Sequence, residues 1–244
     1  MHTLLEKIFA SKAFVNSNNE LVEVHSETSQ YQCEFLQKII IDNHFSQSIE
    51  IGFAYGISTL AILEVVSKNA GRHFVIDKFQ HSGWGDNGLD LIKQAGYQEF
   101  LDFSDDFCYE ILPKLHFDNR KFDFAYIDSS KQFDWILVDF FYLDKILQTG
   151  GVVVFDDVSF PGIRKVLRYV SQFPNYEVYA QFPPNQEETS LRKLANLLTK
   201  LPKTDKILKE ELLLSDQQLG INSRCVALRK TGEDQRNYDW HVSF

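Results

Sequence analysis

The sequence predicts an α/β protein with a mostly parallel sheet and crossover helices, and three observations predict it. From Ser48 onward, short apolar runs alternate with longer amphipathic ones. One run leads into Glu50-Ile51-Gly52-Phe53-Ala54-Tyr55-Gly56, a strand that turns through two glycines into a helix. Two later runs, Phe122–Asp128 and Val152–Asp157, end in acid, and open parallel sheets bind ligands at that strand edge.

In chain order, Leu4, Leu5, Ile8 and Phe9 recur at helical spacing, and a polar loop is expected around Asn16 to Glu20. Ser29 with Gln32 three residues on resembles a capping box opening a helix to about Asn43. The expected strands are Ser48–Gly52, His73–Asp77, Glu99–Phe103, Phe122–Asp128, Val152–Asp156, Tyr176–Ala180 and Arg224–Arg229. Helices are expected near Ile57–Ser67, Asp86–Ala95, Asp106–Leu115, Phe133–Leu147 and Gly162–Phe173. Phe182 to Asn222, about forty residues, is too long for a hairpin loop. Leu191, Leu194, Leu198 and Leu201 there recur at helical spacing, and Thr204 to Leu214 reads as another helix. The segment reads either as a lid or as a structural or dimerising insert. In the tail Tyr238, Trp240, Val242 and Phe244 alternate with polar residues, which suggests an extended segment with one buried face.

Composition excludes several classes. At 244 residues and 44% apolar content the chain can bury a sizeable core, and no apolar run approaches a membrane span. Glu6, Lys7 and Lys12 interrupt the first apolar segment, so a cytoplasmic protein without a signal peptide is expected. The net charge of −9, with no basic stripe, argues against nucleic acid as a partner. Cys33, Cys108 and Cys225 are too scattered for a disulfide frame or a zinc site.

The glycine turn admits two cofactor readings. A dinucleotide fingerprint needs glycines where Ala54 and Ile57 stand. The spacing present is Glu-x-Gly-x-x-x-Gly, followed by a helix whose free N–H groups favour an anion such as a carboxylate. Asp77, one βα unit later, can accept hydrogen bonds from both hydroxyls of a ribose, a device shared by both cofactor classes. Asp128, Asp156 and Asp157 are expected to converge at the strand edge. Carboxylates so placed repel one another unless a hard divalent ion such as Mg²⁺ lies among them.

Taken together, Glu50-x-Gly52-x-x-x-Gly56, Asp77, Asp128-x-x-Lys131, Gly150-Gly151 and Asp156-Asp157 resemble the class I methyltransferases that use S-adenosylmethionine. Within them the likeness is to metal-dependent small-molecule O-methyltransferases of the catechol type and their bacterial relatives. The resemblance covers about Ser48 to Val158. It implies a Rossmann-like fold with a seven-stranded, mostly parallel sheet and helices on both faces. It also implies a single domain with a helical cap over 1–46, a cofactor-binding core over 47–181, the insert over 182–222, and a last strand and tail over 223–244.

By that resemblance Glu50, Gly52, Gly56, Ser58, Asp77, Lys78 and Asp128 border the cofactor. Cys108 and Tyr109, placed by counting back from Leu112-Pro113-Lys114-Leu115, lie beside its adenine, and Val24 to Ser26 are a further candidate contact. Asp128, Asp156 and Asp157 would hold the metal, and Lys131 would serve as general base. The chain departs from the family at Ser129, at Asp106 and at the second acid, Asp157. The expected acceptor is a small molecule, with a homodimer as an option. Alternatives left open are a metal-independent methyltransferase, a nicotinamide-dependent oxidoreductase, and a non-catalytic protein that keeps the fold.

Overall fold

The computed structural model describes residues 1–25, 28–184 and 214–243, and within them the chain forms two compact units. The first comprises residues 1–129 and 139–148, the second residues 130–138 and 149–244. The strands named below as β3 to β9 form a seven-stranded sheet in the order β5-β4-β3-β6-β7-β9-β8.

The first unit carries α1 (Thr3–Ser11), β1 (Ala13–Val15), β2 (Leu21–Glu23), α2 (Gln30–Asn43), β3 (Gln47–Ile51) and α3 (Ile57–Val66). It continues through β4 (Arg72–Ile76), α4 (Asn87–Gln94), β5 (Leu101–Ser104), α5 (Cys108–Phe117) and β6 (Phe122–Ile127), and it takes in the C-terminal part of α6 (Phe133–Ile146). β3 pairs in parallel with β4 and with β6, and β4 with β5. β6 is buried at every position but Asp123 because both faces of such a sheet are covered. α3 is buried along nearly its whole length, which explains its lack of a polar face, and Leu5, Ile8, Phe14 and Cys33 share a core with it. The capping box at Ser29 forms as expected, with the Gln32 side chain returning to the Ser29 backbone N–H.

The second unit carries the start of α6, most of β7 (Leu147–Phe155), α7 (Pro161–Val170), β8 (Tyr176–Phe182) and β9 (Cys225–Lys230). β9 runs antiparallel to both β7 and β8. Every expected strand from Ser48 onward is found; Phe122 and Tyr176 start their strands as expected, and the other ends shift by one or two residues, except that β7 begins five residues before Val152. No helix among the described residues is long and apolar enough to cross a membrane.

One expectation is met and extended, and one needs correction. The polar loop around Asn16 is the turn of the small β1–β2 hairpin: the Asn16 side chain accepts from the N–H groups of Asn18 and Glu20, each at 3.0 Å. Strands of three residues carry no readable alternation, so only the turn was visible in the sequence. The described part of the tail forms no strand. Arg236 stacks its guanidinium 3.4 Å over the Phe173 ring and 4.9 Å over Trp240, and Trp240 packs edge-on against Phe173. Val242 is buried while Tyr238 is wholly exposed, so the alternation is only partly expressed as burial. The helical spacing from Leu191 to Leu201, the helix expected from Thr204, and Ser26 and Phe244 lie outside the described residues.

Candidate active site

In the first unit the ends of β3, β4, β5 and β6 bring most of the sequence-derived cofactor residues to one edge. Gly52 leaves β3 with φ +100°, and a Cβ there would sit 2.1 Å from the Asp128 carbonyl oxygen. The Asp128 N–H donates to the Ile51 carbonyl at 3.0 Å, so the two strand ends are drawn together through this contact. Asp77 closes the turn: its Oδ2 accepts from the N–H groups of Phe53 at 2.9 Å and Ala54 at 3.0 Å, and its Oδ1 from Phe79 at 2.8 Å. Gly56, with φ +77°, caps α3, whose first N–H groups have no helical acceptor.

Glu50 is oriented differently from the sequence expectation. Instead of reaching into the cleft, its carboxylate is fully buried and accepts from Ser58 Oγ, from Thr59 Oγ1 at 2.6 Å, and lies 2.9 Å from His73 Nε2. It ties the first turn of α3 to β3 and β4, so it shapes the turn from beneath. Lys78 donates to the Asp105 carbonyl at 3.2 Å, joining the ends of β4 and β5. Gln80, which the sequence reading missed, stitches the turn to α4: it donates to the Ala54 carbonyl and accepts from the Gly88 N–H.

The two adenine candidates separate. Tyr109 is 44% exposed and stacks on Phe107 with centroids 5.1 Å apart, whereas Cys108 is buried. The Cys108 thiol is pushed up by burial first and by the neighbouring Asp139 carboxyl second. Asp139, a second residue missed in the sequence, is fully buried on α6 with Ser129 Oγ 3.5 Å from its Oδ2 and, among the described residues, no hydrogen-bond partner on Oδ1. Burial raises its carboxyl from 3.8 to about 6, and hydrogen bonds from Cys108 and Ser129 only partly offset that.

A carboxyl raised on folding stabilises fully below its unfolded value, and that stability is lost as pH climbs through the folded one. Asp139 should therefore cost the fold about 3 kcal/mol on going from below pH 4 to above pH 6, two units at 1.4 each. Denaturant melts at several pH values should show a steeper decline over this window in the native protein than in Asp139→Asn. Equal slopes would remove the assignment.

The second unit holds Lys131, Asp156 and Asp157. β7 and β9 pair as far as Phe155 with Val226, so the next residues, Asp156 and Asp157, run beside Cys225 and Arg224. Val158 N–H donates to the Arg224 carbonyl at 2.9 Å, which continues this alignment. Asp156 is buried, and its Oδ1 accepts from Cys225 Sγ at 2.9 Å and from the Asp157 N–H at 2.7 Å. Asp157 lies 3.0 Å from Lys131 Nζ, and Arg224 Nε lies 3.5 Å from Asp157 and 3.7 Å from Asp156.

With this geometry in hand, likeness to known proteins becomes informative. A family profile described as a methyltransferase domain matches residues 49–158, which begin in the strand before the glycine turn and end just after the acid pair. Over that stretch the chain is similar to methyltransferase domains, and its fold is theirs. A caffeoyl-CoA O-methyltransferase-like protein of Arabidopsis thaliana is 29% identical over 66% of this chain and 66% of its own length. The fold is shared with an O-methyltransferase of Bacillus cereus solved with SAH (20% identity, TM-score 0.57, 72% of this chain and 80% of that one). It is shared too with the O-methyltransferase TomG of Streptomyces achromogenes, solved with SAM (17% identity, TM-score 0.58, 84% and 82%).

The divalent ion implied by the family resemblance can be tested against the residues. Asp128 belongs to the first unit, Asp156 and Asp157 to the second. Among the described residues, no group of three or more His, Cys, Asp or Glu side chains is arranged to hold a metal ion. Asp156 Oδ1 already accepts from two donors, and the pair of acids faces two protein cations. A small dication needs oxygen lone pairs in near-octahedral array and no like charge beside them. The residues present do not fit it.

Proposed function

We propose that the chain transfers a methyl group from S-adenosylmethionine to an oxygen atom of a small molecule. The observation that carries this is the glycine turn after β3, held open by the Asp77 carboxylate and backed by the N-terminus of α3, inside the matched methyltransferase segment.

When bound, S-adenosylmethionine supplies a methyl group already activated on a sulfonium, so the protein has chiefly to align and to manage charge. The first N–H groups of α3 and the Gly52 turn suit the carboxylate of the methionine portion. The Asp77 carboxylate has acceptor capacity beyond its backbone donors for ribose hydroxyls. Tyr109, exposed on its stack with Phe107, offers a flat apolar face to a purine. Lys131 enters as a cation rather than as the base implied by the resemblance, because an ammonium held 3.0 Å from Asp157 has no lone pair to offer. In that form it steadies the acceptor oxygen as that oxygen takes the methyl group from the sulfonium and gives up its proton to solvent water. The metal-assisted form of the reaction is not part of the proposal.

Titration calorimetry tests the reading. The native protein should bind S-adenosylmethionine and its demethylated product, and Asp77→Ala should weaken both by about tenfold or more, the loss of one to two charge-assisted hydrogen bonds. NAD should give no thermal shift, since Ala54 and Ile57 stand where its fingerprint needs glycine. No heat at millimolar S-adenosylmethionine, or a shift with NAD alone, would end the proposal.

A further inference from the structure

We infer that Arg224, together with Lys131, is a built-in cation for the Asp156–Asp157 pair, and that it does the charge neutralisation for which this kind of site would otherwise recruit a divalent ion. The inference deepens the proposed methyl-transfer reading and rests on it for the reaction, while its test reads metal binding directly.

Four observations support it. The antiparallel register of β7 with β9, continued by the Val158 N–H bond to the Arg224 carbonyl, brings the Arg224 backbone beside Asp157 as a consequence of strand pairing. Its Nε lies within 3.7 Å of one carboxylate and 3.5 Å of the other, so a single guanidinium serves both acids. Lys131 approaches Asp157 from the other side of the sequence, and its position is built as well. α7 packs so closely there that a Cβ on Gly162 would lie 2.4 Å from the Lys131 carbonyl oxygen. Finally, the buried Asp156 has its Oδ1 engaged by the Cys225 thiol and the Asp157 N–H.

The electrostatics then follow. A buried carboxylate must be paired or neutralised, and two adjacent ones doubly so. One guanidinium and one ammonium offset the charge of the two carboxylates, which lowers their attraction for a dication. An incoming Mg²⁺ or Mn²⁺ would also have to displace the guanidinium or sit against it. Arginine suits the post because its charge is permanent and its planar fork can face two acceptors at once.

The test uses Mn²⁺ as the probe, with its binding followed by electron paramagnetic resonance and by calorimetry. The native protein should not take up Mn²⁺ at submillimolar concentrations, and its S-adenosylmethionine affinity should be unchanged by a chelator. Arg224→Gln, which keeps the stem and removes the charge, should bind Mn²⁺ at least about tenfold more tightly than the native protein. Adding Asp157→Asn to it should abolish that gain. Arg224→Lys retains a cation and should behave as native, which separates lost charge from disturbed packing. Tight Mn²⁺ binding by the native protein that disappears in Asp157→Asn would overturn the inference, as would an Arg224→Gln protein that folds and gains no metal affinity. A failure of the methyl-transfer reading shows instead as absent S-adenosylmethionine binding in the native protein, whatever Mn²⁺ does.

Discussion

Replacing Gly52 with alanine is expected to destabilise the protein severely and to remove cofactor binding with it. The added methyl would sit 2.1 Å from the Asp128 carbonyl oxygen and 2.9 Å from its carbonyl carbon. Both are backbone atoms, so no side chain can rotate away. Moving the end of β6 would break the Asp128 N–H bond to Ile51, and moving the end of β3 would break the Gly52 N–H bond to Ile76, each 3.0 Å. The backbone itself, at φ +100°, lies outside what an L-residue adopts without strain. Strain of about 1–2 kcal/mol and a forced fit of about 1–3 kcal/mol add to the lost ladder bonds, for a total near 4 kcal/mol or more. In a chain of this length that corresponds to a fall in Tm of about 10 °C. Differential scanning calorimetry checks it, with product-analogue titration on whatever remains folded. A fall of only a degree or two, with binding intact, would contradict the close approach of β3 and β6.

That approach also explains why so much of this edge was legible. Gly52, Asp77 and Asp128 each stand just past a strand end, where an apolar run gives way to glycine or acid, and Gly56 stands just before the helix that follows; such transitions are visible in a single sequence. The Ser29 capping box was legible for a similar reason, since it is written within four residues. Residues whose place depends on pairing between distant segments were not. Arg224 reaches Asp157 only because β9 lies antiparallel to β7 with Phe155 opposite Val226, a register that turn chemistry cannot specify across some seventy intervening residues. Asp139 looked like one more polar residue of an amphipathic helix, and nothing local marks it as fully buried behind Cys108 and Ser129. Glu50 illustrates a third kind of miss. Period-two alternation puts it on the face opposite Ile49 and Ile51, which reads as outward, yet both faces of a parallel sheet are covered.

The inward turn of Glu50 leads to the other large effect. Ser48 and His73 are register partners on β3 and β4, and Glu50 lies two residues on, on the same face. His73 Nε2 lies 2.9 Å from Glu50 Oε2, and its Nδ1 lies 2.8 Å from Ser48 Oγ, so the ring bridges the two side chains. Ser58 and Thr59 bring the start of α3 onto the same carboxylate. All five side chains are buried, so none can turn to water when one is removed. Glu50→Ala would strand three donors at about 1–3 kcal/mol each and leave a cavity, a loss on the order of 5 kcal/mol. Glu50→Gln keeps the volume and one acceptor oxygen, so it should cost less, about 1–3 kcal/mol, because its amide protons meet donors instead of acceptors. The decisive comparison is between stability and cofactor affinity in the glutamine variant. If Glu50 works from beneath the turn, melting temperature falls and the affinity of the folded fraction for S-adenosylmethionine changes little. A variant that melts as the native protein does yet loses the cofactor would instead make Glu50 a direct contact, and the buried network would no longer account for how the glycine turn is held in shape.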